Sequence, residues 1–239
     1  MKEKPSAVIV CSNCGAENPF YALNCSGCKS FFRERVPNID FGKINSQLIE
    51  APSKAFTRII YAEHKNFVFL ILILIAVKFF INLHFSALLF KETASTAINE
   101  FLILIISLAT VSLFFYISSL KIRFLNRLLN FRSRIKDSFA VITFSFYPLC
   151  FVVIILFPIE LIVFGEYLFS VNPSPFELKE MLAYILLAFE ALPVLWSLFL
   201  LQRGLYVQSK NIFLSVSGTV IIQAAFYGLI VLLSYFLFR

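Results

Sequence analysis

Five long apolar stretches, each closed at both ends by polar or charged residues, follow one another from about residue 66 to residue 238. A helix that crosses a bilayer needs roughly 20 consecutive, mostly apolar residues. The stretches at about 66–89, 98–120, 139–164, 181–201 and 216–238 meet that length. None alternates with the period of two that a membrane β-barrel requires, so each is predicted to be a helix. The fold class expected is all-α: a polytopic membrane bundle of five transmembrane helices, preceded by a small N-terminal module.

Three shorter segments carry weaker patterns. Residues 29–54 mix Pro37, Gly42, Asn45, Ser46 and Pro52 with scattered charges and show no sustained period, which reads as a tether. From Ser53 to Lys65 a serine in N-cap position precedes Phe56, Ile59 and Ile60, spaced with Phe67 to share one helical face. That predicts a short helix on the inner leaflet, with Lys54, Arg58 and Lys65 toward water or headgroups. The loop from Lys121 to Asp137 repeats this chemistry. Ile122, Leu125, Leu128 and Leu129 are apolar, while Lys121, Arg123, Arg127, Arg132, Arg134 and Lys136 form a basic, lipid-facing set. Each basic residue near an anionic leaflet contributes about 1 kcal/mol. The loop is a lipid- or partner-docking surface on one reading and a plain topology determinant on the other. The domains expected are therefore 1–30, 31–54 as linker and 55–239 as membrane domain.

Composition supports the membrane assignment. Hydrophobic residues make up 59% of the 239 and charged residues only 15%, where a soluble domain has roughly half and a quarter. The net charge of +7 is unevenly placed. Seventeen Lys and Arg fall before the first stretch or in the second and fourth connections, against three on the other side. Positive charge near span ends stays inside, so the N-terminus is expected in the cytoplasm and the C-terminus outside. The charge thus reads as topology, and a nucleic-acid partner is not expected. Met1-Lys-Glu-Lys-Pro is followed by polar residues and cysteines. No cleavable signal is expected, and the first span would serve as the insertion signal.

Chemistry concentrates in Cys11-Ser-Asn-Cys14 and Cys25-Ser-Gly-Cys28. A C-x-x-C turn aims two sulfurs at one point, and two such turns complete the tetrahedral thiolate shell that zinc prefers. Gly15 and Gly27 lie where tight turns need backbone freedom. Disulfides are disfavoured by the expected cytoplasmic location. A redox motif is disfavoured because no βαβ domain fits before residue 66. With four protein ligands the Zn2+ is expected to be structural. Lys29, Arg33 and Arg35 would offset the excess negative charge of the centre or touch anionic lipid. The module resembles the short zinc ribbons at the ends of many prokaryotic proteins, and Cys11 to Asn18 has their wording.

Polar residues inside the spans are few, and a bare charge there costs roughly 3 kcal/mol or more. At 1.5 Å per residue, Lys78 lies about 18 Å from the inner end of the first span and Glu190 about 17 Å from that of the fourth. They form a buried ion pair, or else Lys78 snorkels and Glu190 is protonated or faces water. Glu160, after Pro158, is expected to reach headgroups, Cys150 to be a small buried residue, and Gln223 to lie in the inner half of the fifth span. Only His64 and His84 are histidines, and neither H-E-x-x-H, G-x-S-x-G nor a glycine-rich phosphate loop occurs, so catalysis is not expected.

Residues 51–239 resemble the Yip1 family of five-span membrane proteins. The resemblance rests on Ala51-Pro52 and Ala55-Phe56 before the first span, Tyr147-Pro148 in the third, Trp196 in the fourth and Gly204-Leu205 before the fifth. It implies an all-α integral membrane domain without established catalytic residues. A leading zinc ribbon is associated with bacterial and archaeal members, which implies a prokaryotic inner or plasma membrane. Eukaryotic members are implicated in vesicle traffic and small-GTPase binding, but their Asp-Leu-Tyr-Gly-Pro motif is missing here, so GTPase binding is not carried over. The function expected is a non-enzymatic membrane adaptor or scaffold whose ribbon engages a protein partner. The alternative is a small transporter or channel using Lys78, Glu190 and Gln223.

Overall fold

The computed structural model describes residues 8–90, 99–128 and 133–238. It is all-α apart from a small N-terminal hairpin, with five helical segments long and apolar enough to cross a membrane: Val68–Ala87, Glu100–Leu128, Pro148–Phe169, Glu180–Ser209 and Ile212–Leu237. The protein is an integral membrane protein. Its residues form two compact units, one comprising Met1–Phe69, Phe115–Ser145 and Leu200–Val220, the other Leu70–Phe114, Phe146–Phe199 and Ile221–Arg239.

In the first unit, β1 (Val8–Val10) pairs antiparallel with β2 (Glu17–Pro19), in the register Val8 to Pro19 and Val10 to Glu17. Helix α1 (Phe41–Glu50) comes next, within the segment that lacks a sustained period. Its determinants are local. The Asp40 carboxylate caps the Lys43 amide, Ile44 and Leu48 share a buried face, and Pro52 bars continuation past Ala51. Pro52 then occupies the first turn of α2 (Pro52–Tyr61), a role proline fills well, so Ala51 and not Ser53 is the N-cap.

The apolar face of α2 does not lie in lipid. Ala55, Phe56, Ile59 and Ile60 are fully buried within this unit, where α2 packs on α1 and on α5 (Ile135–Ser145). Close approach at this point requires glycine. A Cβ on Gly204 would stand 2.6 Å from Val141 Cγ1 and 3.2 Å from the Phe56 ring.

Lys65 also departs from expectation. Its side chain is 11% exposed, and its ammonium pairs with Asp137 at 2.9 Å while donating to the carbonyls of Ile59, Ile60 and Ala62 at the C-terminal end of α2. Arg134 meets the same carboxylate, Nε to Oδ2 at 2.6 Å, and donates to Ile60 O. Asp137 is 1% exposed. A carboxylate so deep requires counter-charges, and that requirement draws Lys65 and Arg134 inward. Burial pulls Lys65 below the usual lysine range, and Asp137 opposes that shift.

Helix α4 (Glu100–Leu128) runs through the residues read as the start of the basic loop. Phe115, Ser119, Ile122 and Asn126 are spaced by four, three and four and are all buried, so a packed helical stripe continues past Leu120.

In the second unit, α3 (Val68–Ala87), α9 (Glu180–Ser209) and α10 (Ile212–Leu237) contribute long apolar segments. Phe226 is a hub, with the rings of Phe79, Phe114 and Phe146 at 5.6, 5.8 and 4.8 Å. The third span is not continuous. After α5 the chain turns at Phe146–Tyr147, resumes as α6 (Pro148–Phe151), widens to a π-turn over Val152–Leu156 and returns to α-helix in α7 (Phe157–Phe164). Pro158 cannot donate to Ile154, and the wide turn stands directly before it. A short helix, α8 (Pro175–Leu178), is closed by a capping box of Ser174 and Glu177.

Candidate metal centre and intramembrane polar site

The metal centre, in the first unit, is built by two turns of matching design. After Cys11-x-x-Cys14, the Gly15 amide bonds to Cys11 O and the Cys11 amide to Ala16 O. After Cys25-x-x-Cys28, the Lys29 amide bonds to Cys25 O and the Cys25 amide to Ser30 O. Both turns close through a left-handed residue, Gly15 at φ 71° and Lys29 at φ 64°. The freedom expected of Gly27 is therefore used at Lys29 instead.

These turns bring the four sulfurs within 4.8 Å of one another, with Cys11 to Cys28 at 3.5 Å and Cys14 to Cys25 at 3.4 Å. A tetrahedral ion with bonds of about 2.3 Å sets sulfurs about 3.8 Å apart, and a disulfide would need about 2.05 Å. The geometry suits metal coordination. Cys11 and Cys25 are buried while Cys14 is exposed.

Two outer residues that sequence reasoning missed hold the sulfurs. The Ser30 hydroxyl lies 3.3 Å from Cys11 Sγ and 3.1 Å from Cys28 Sγ. Buried Asn18 donates to Cys25 Sγ at 3.5 Å and accepts from the Ser26 amide. Hydrogen bonding from Ser30 draws the Cys28 thiol down to about 5. At Cys14 the Ala16 backbone bond favours thiolate, but crowding by the Cys25 and Cys28 sulfurs pushes the thiol up to about 11. Sulfurs so close resist sharing negative charge, and a bound dication removes that conflict.

Two of the basic residues near the centre, Arg33 and Arg35, serve other contacts. Arg33 stacks on Tyr61 at 4.1 Å and donates to Tyr21 O. Arg35 forms a bidentate pair with Glu63. Of the basic set predicted to face lipid, Lys121, Arg123 and Arg127 are exposed on α4. Arg134 is a correction: it turns inward to Asp137 and lies 4.4 Å over the Tyr21 ring. Lys136 is exposed and donates to Glu63 O. Arg132 lies outside the described residues.

In the second unit, Lys78 Nζ stands 2.6 Å from Glu190 Oε1, with the lysine side chain 2% and the glutamate 20% exposed. Gln223 does not join this pair. It donates to Ser197 Oγ at 2.9 Å, and Ser197 is two turns along α9 from Glu190. Glu160 does not reach toward headgroups: it is 4% exposed. Among the described residues its Oε2 has no hydrogen-bond partner, nor have Gln223 Oε1 and the Tyr227 hydroxyl. A π-turn adds a residue to one turn of helix and so rotates the segment beyond it. The turn at Val152–Leu156 thereby re-aims Glu160. Cys150 is buried, with its thiol 3.9 Å from Ile71 O. His84 is buried and bridges Phe80 O and Glu100, each at 3.0 Å.

Comparison with known proteins finds no family model, no curated protein and no solved structure that matches this chain.

Proposed function

We propose that the chain is a non-enzymatic membrane adaptor of the Yip1-like type, with its N-terminus in the cytoplasm of a prokaryotic cell. A structural Zn2+ on Cys11, Cys14, Cys25 and Cys28 would hold the ribbon in shape. The convergence of four thiols on a hairpin carries this reading. Four protein sulfurs leave a zinc ion no open position for substrate or water, which favours a structural role. The ribbon side also offers Phe31, 75% exposed, and Val10, 60% exposed, as apolar contacts for a protein partner.

The test is crosslinking and affinity capture from native membranes at equal membrane levels, with bound zinc measured. It compares wild type, Cys25→Ser and Phe31→Ser. Partners should vanish from Cys25→Ser together with zinc, and from Phe31→Ser with zinc retained. The same partner profile in all three proteins would overturn the reading.

A further inference from the structure

Within the first unit, Arg33 and Glu34 after the ribbon, Gln47 of α1, and Lys54, Arg58 and Tyr61 of α2 line a cavity of 560 Å³. Small-molecule sites occupy about 300–1,000 Å³, so the space suits an organic ligand better than a single ion. Lys54 and Arg58 lie at an interval of four and project from one face of α2, where like charges repel. Among the described residues neither side chain has a hydrogen-bond or ion-pair partner. Lys54 is exposed and Arg58 half-buried, so their donors stay open to whatever enters the cavity.

Arg33 adds a third charge in a fixed position. Its guanidinium stacks on Tyr61 at 4.1 Å and donates to the carbonyls of Glu34, Tyr21 and Tyr61. Those acceptors hold the group still, and none of them is a carboxylate. Nearby acids are engaged elsewhere, Glu63 by Arg35 at 2.8 Å and Asp137 by Lys65 and Arg134. Glu34 is the one carboxylate on the cavity wall, against the three cations Arg33, Lys54 and Arg58, which leaves a surplus of two positive charges. A phosphate monoester carries about −1.5 to −2 near neutral pH, and its oxygens are the acceptors that arginine and lysine bind best. A phosphodiester, with one charge, leaves part of the surplus unmatched. The first turn of α2 has neither a side-chain cap nor an acidic residue, so the helix dipole adds to the same field.

We propose that this cavity binds a phosphate monoester, with Lys54 and Arg58 closing on the phosphate oxygens and Arg33 as a fixed positive wall. Two sources share that chemistry, the headgroup of a lipid such as phosphatidic acid and a soluble ester such as glycerol 3-phosphate. Tyr61, on the cavity wall, is separated by six residues from Val68, where the first span begins. A chain of that length reaches at most about 25 Å, which keeps the cavity near the level of a bilayer's own phosphates. The site stands independently of the adaptor reading.

The experiment is calorimetric titration of the full chain in neutral detergent with dioctanoyl phosphatidic acid, dioctanoyl phosphatidylglycerol and glycerol 3-phosphate. Wild type is compared with Lys54→Gln, Arg58→Gln and, as a control, Lys121→Gln, an exposed cation of α4 outside the cavity. Amide protection in α2 verifies that each variant is folded. Wild type should take up one phosphatidic acid per chain and bind it at least about 10-fold more tightly than phosphatidylglycerol. Lys54→Gln and Arg58→Gln should each weaken that binding about 10-fold or more, the usual effect of losing a charge-assisted contact. Lys121→Gln should bind like wild type. Glycerol 3-phosphate binding as tightly as the lipid supports the proposal with a soluble ester as the source, and binding of the acylated form alone supports it with a lipid as the source. Equal affinity for the two lipids, unchanged binding by folded Lys54→Gln and Arg58→Gln, or an equal loss in Lys121→Gln would overturn it.

Discussion

Replacing Asp137 with asparagine removes one charge from the buried group that ties α2 to α5 while nearly preserving shape. The aspartate side chain is 2% exposed and receives Lys65 at 2.9 Å and Arg134 at 2.6 and 3.2 Å. Removing one member of a buried ion pair costs about 3–5 kcal/mol, chiefly because the remaining charge is left uncompensated. Here the two cations differ. Arg134 is 32% exposed and can turn to water, whereas Lys65 is 11% exposed and keeps only the three carbonyls at the end of α2. The expected loss is therefore at the low end, about 3 kcal/mol.

Amide hydrogen exchange in α2, read by mass spectrometry in mild detergent, measures this directly, because exchange there reports local opening. At 1.4 kcal/mol per factor of ten, opening should become roughly 100-fold more frequent. Lys65→Met combined with Asp137→Leu removes both charges of this pair and leaves Arg134 free to reach water, so it should recover much of the protection. If Asp137→Asn exchanges like wild type in α2, the three-residue group does not hold that helix and the reasoning fails.

Gly204→Ala places a methyl 2.6 Å from Val141 Cγ1. Overpacking of this sort costs about 1–3 kcal/mol, so the thermal midpoint in detergent should fall, and Val141→Ala in the same chain should restore it. Ser30→Ala removes the hydroxyl shared by Cys11 and Cys28. Loss of such an outer contact should weaken zinc binding by roughly 10–100-fold in competition with a chelator, with the hairpin intact. Zinc should also be lost on acidification. The Cys28 thiol is held down to about 5, so its ligating thiolate is present above that pH and protonates as the pH falls through it. Cys14, whose thiol is pushed up to about 11, takes a proton more readily still, so a chromophoric chelator should capture progressively more zinc as the pH falls from neutral, and capture independent of pH would contradict thiolate ligation.

How far the amino-acid sequence disclosed the structure depends on the range of the interactions involved. The apolar stretches and the twin C-x-x-C turns are local patterns, so their helices and converging sulfurs were legible from spacing alone. Helix α1 was legible in principle, since Asp40, Ile44, Leu48 and Pro52 mark its cap, face and stop, but ten residues are too few to show a sustained period. Lys65 and Asp137 are 72 positions apart and stand near span ends, where charge normally reaches water. Their pairing depends on tertiary burial, which no nearby residue encodes. Glu160 was hidden by backbone geometry. Its distance along the span pointed toward headgroups, whereas it is buried in α7, beyond the π-turn ahead of Pro158. Counting depth placed Lys78 and Glu190 near one level, and the structure joins them at 2.6 Å. The interval of four that links Lys78 to Asn82 and Ser86, and Gln223 to Tyr227, is a stronger signal than depth, because it assigns polar side chains to one face of a helix that lipid would otherwise surround. A polar stripe of that kind needs an aqueous or protein partner along its whole length. Glu190 meets that need at Lys78, and Asn82 and Ser86 line a cavity of 240 Å³ together with Tyr227.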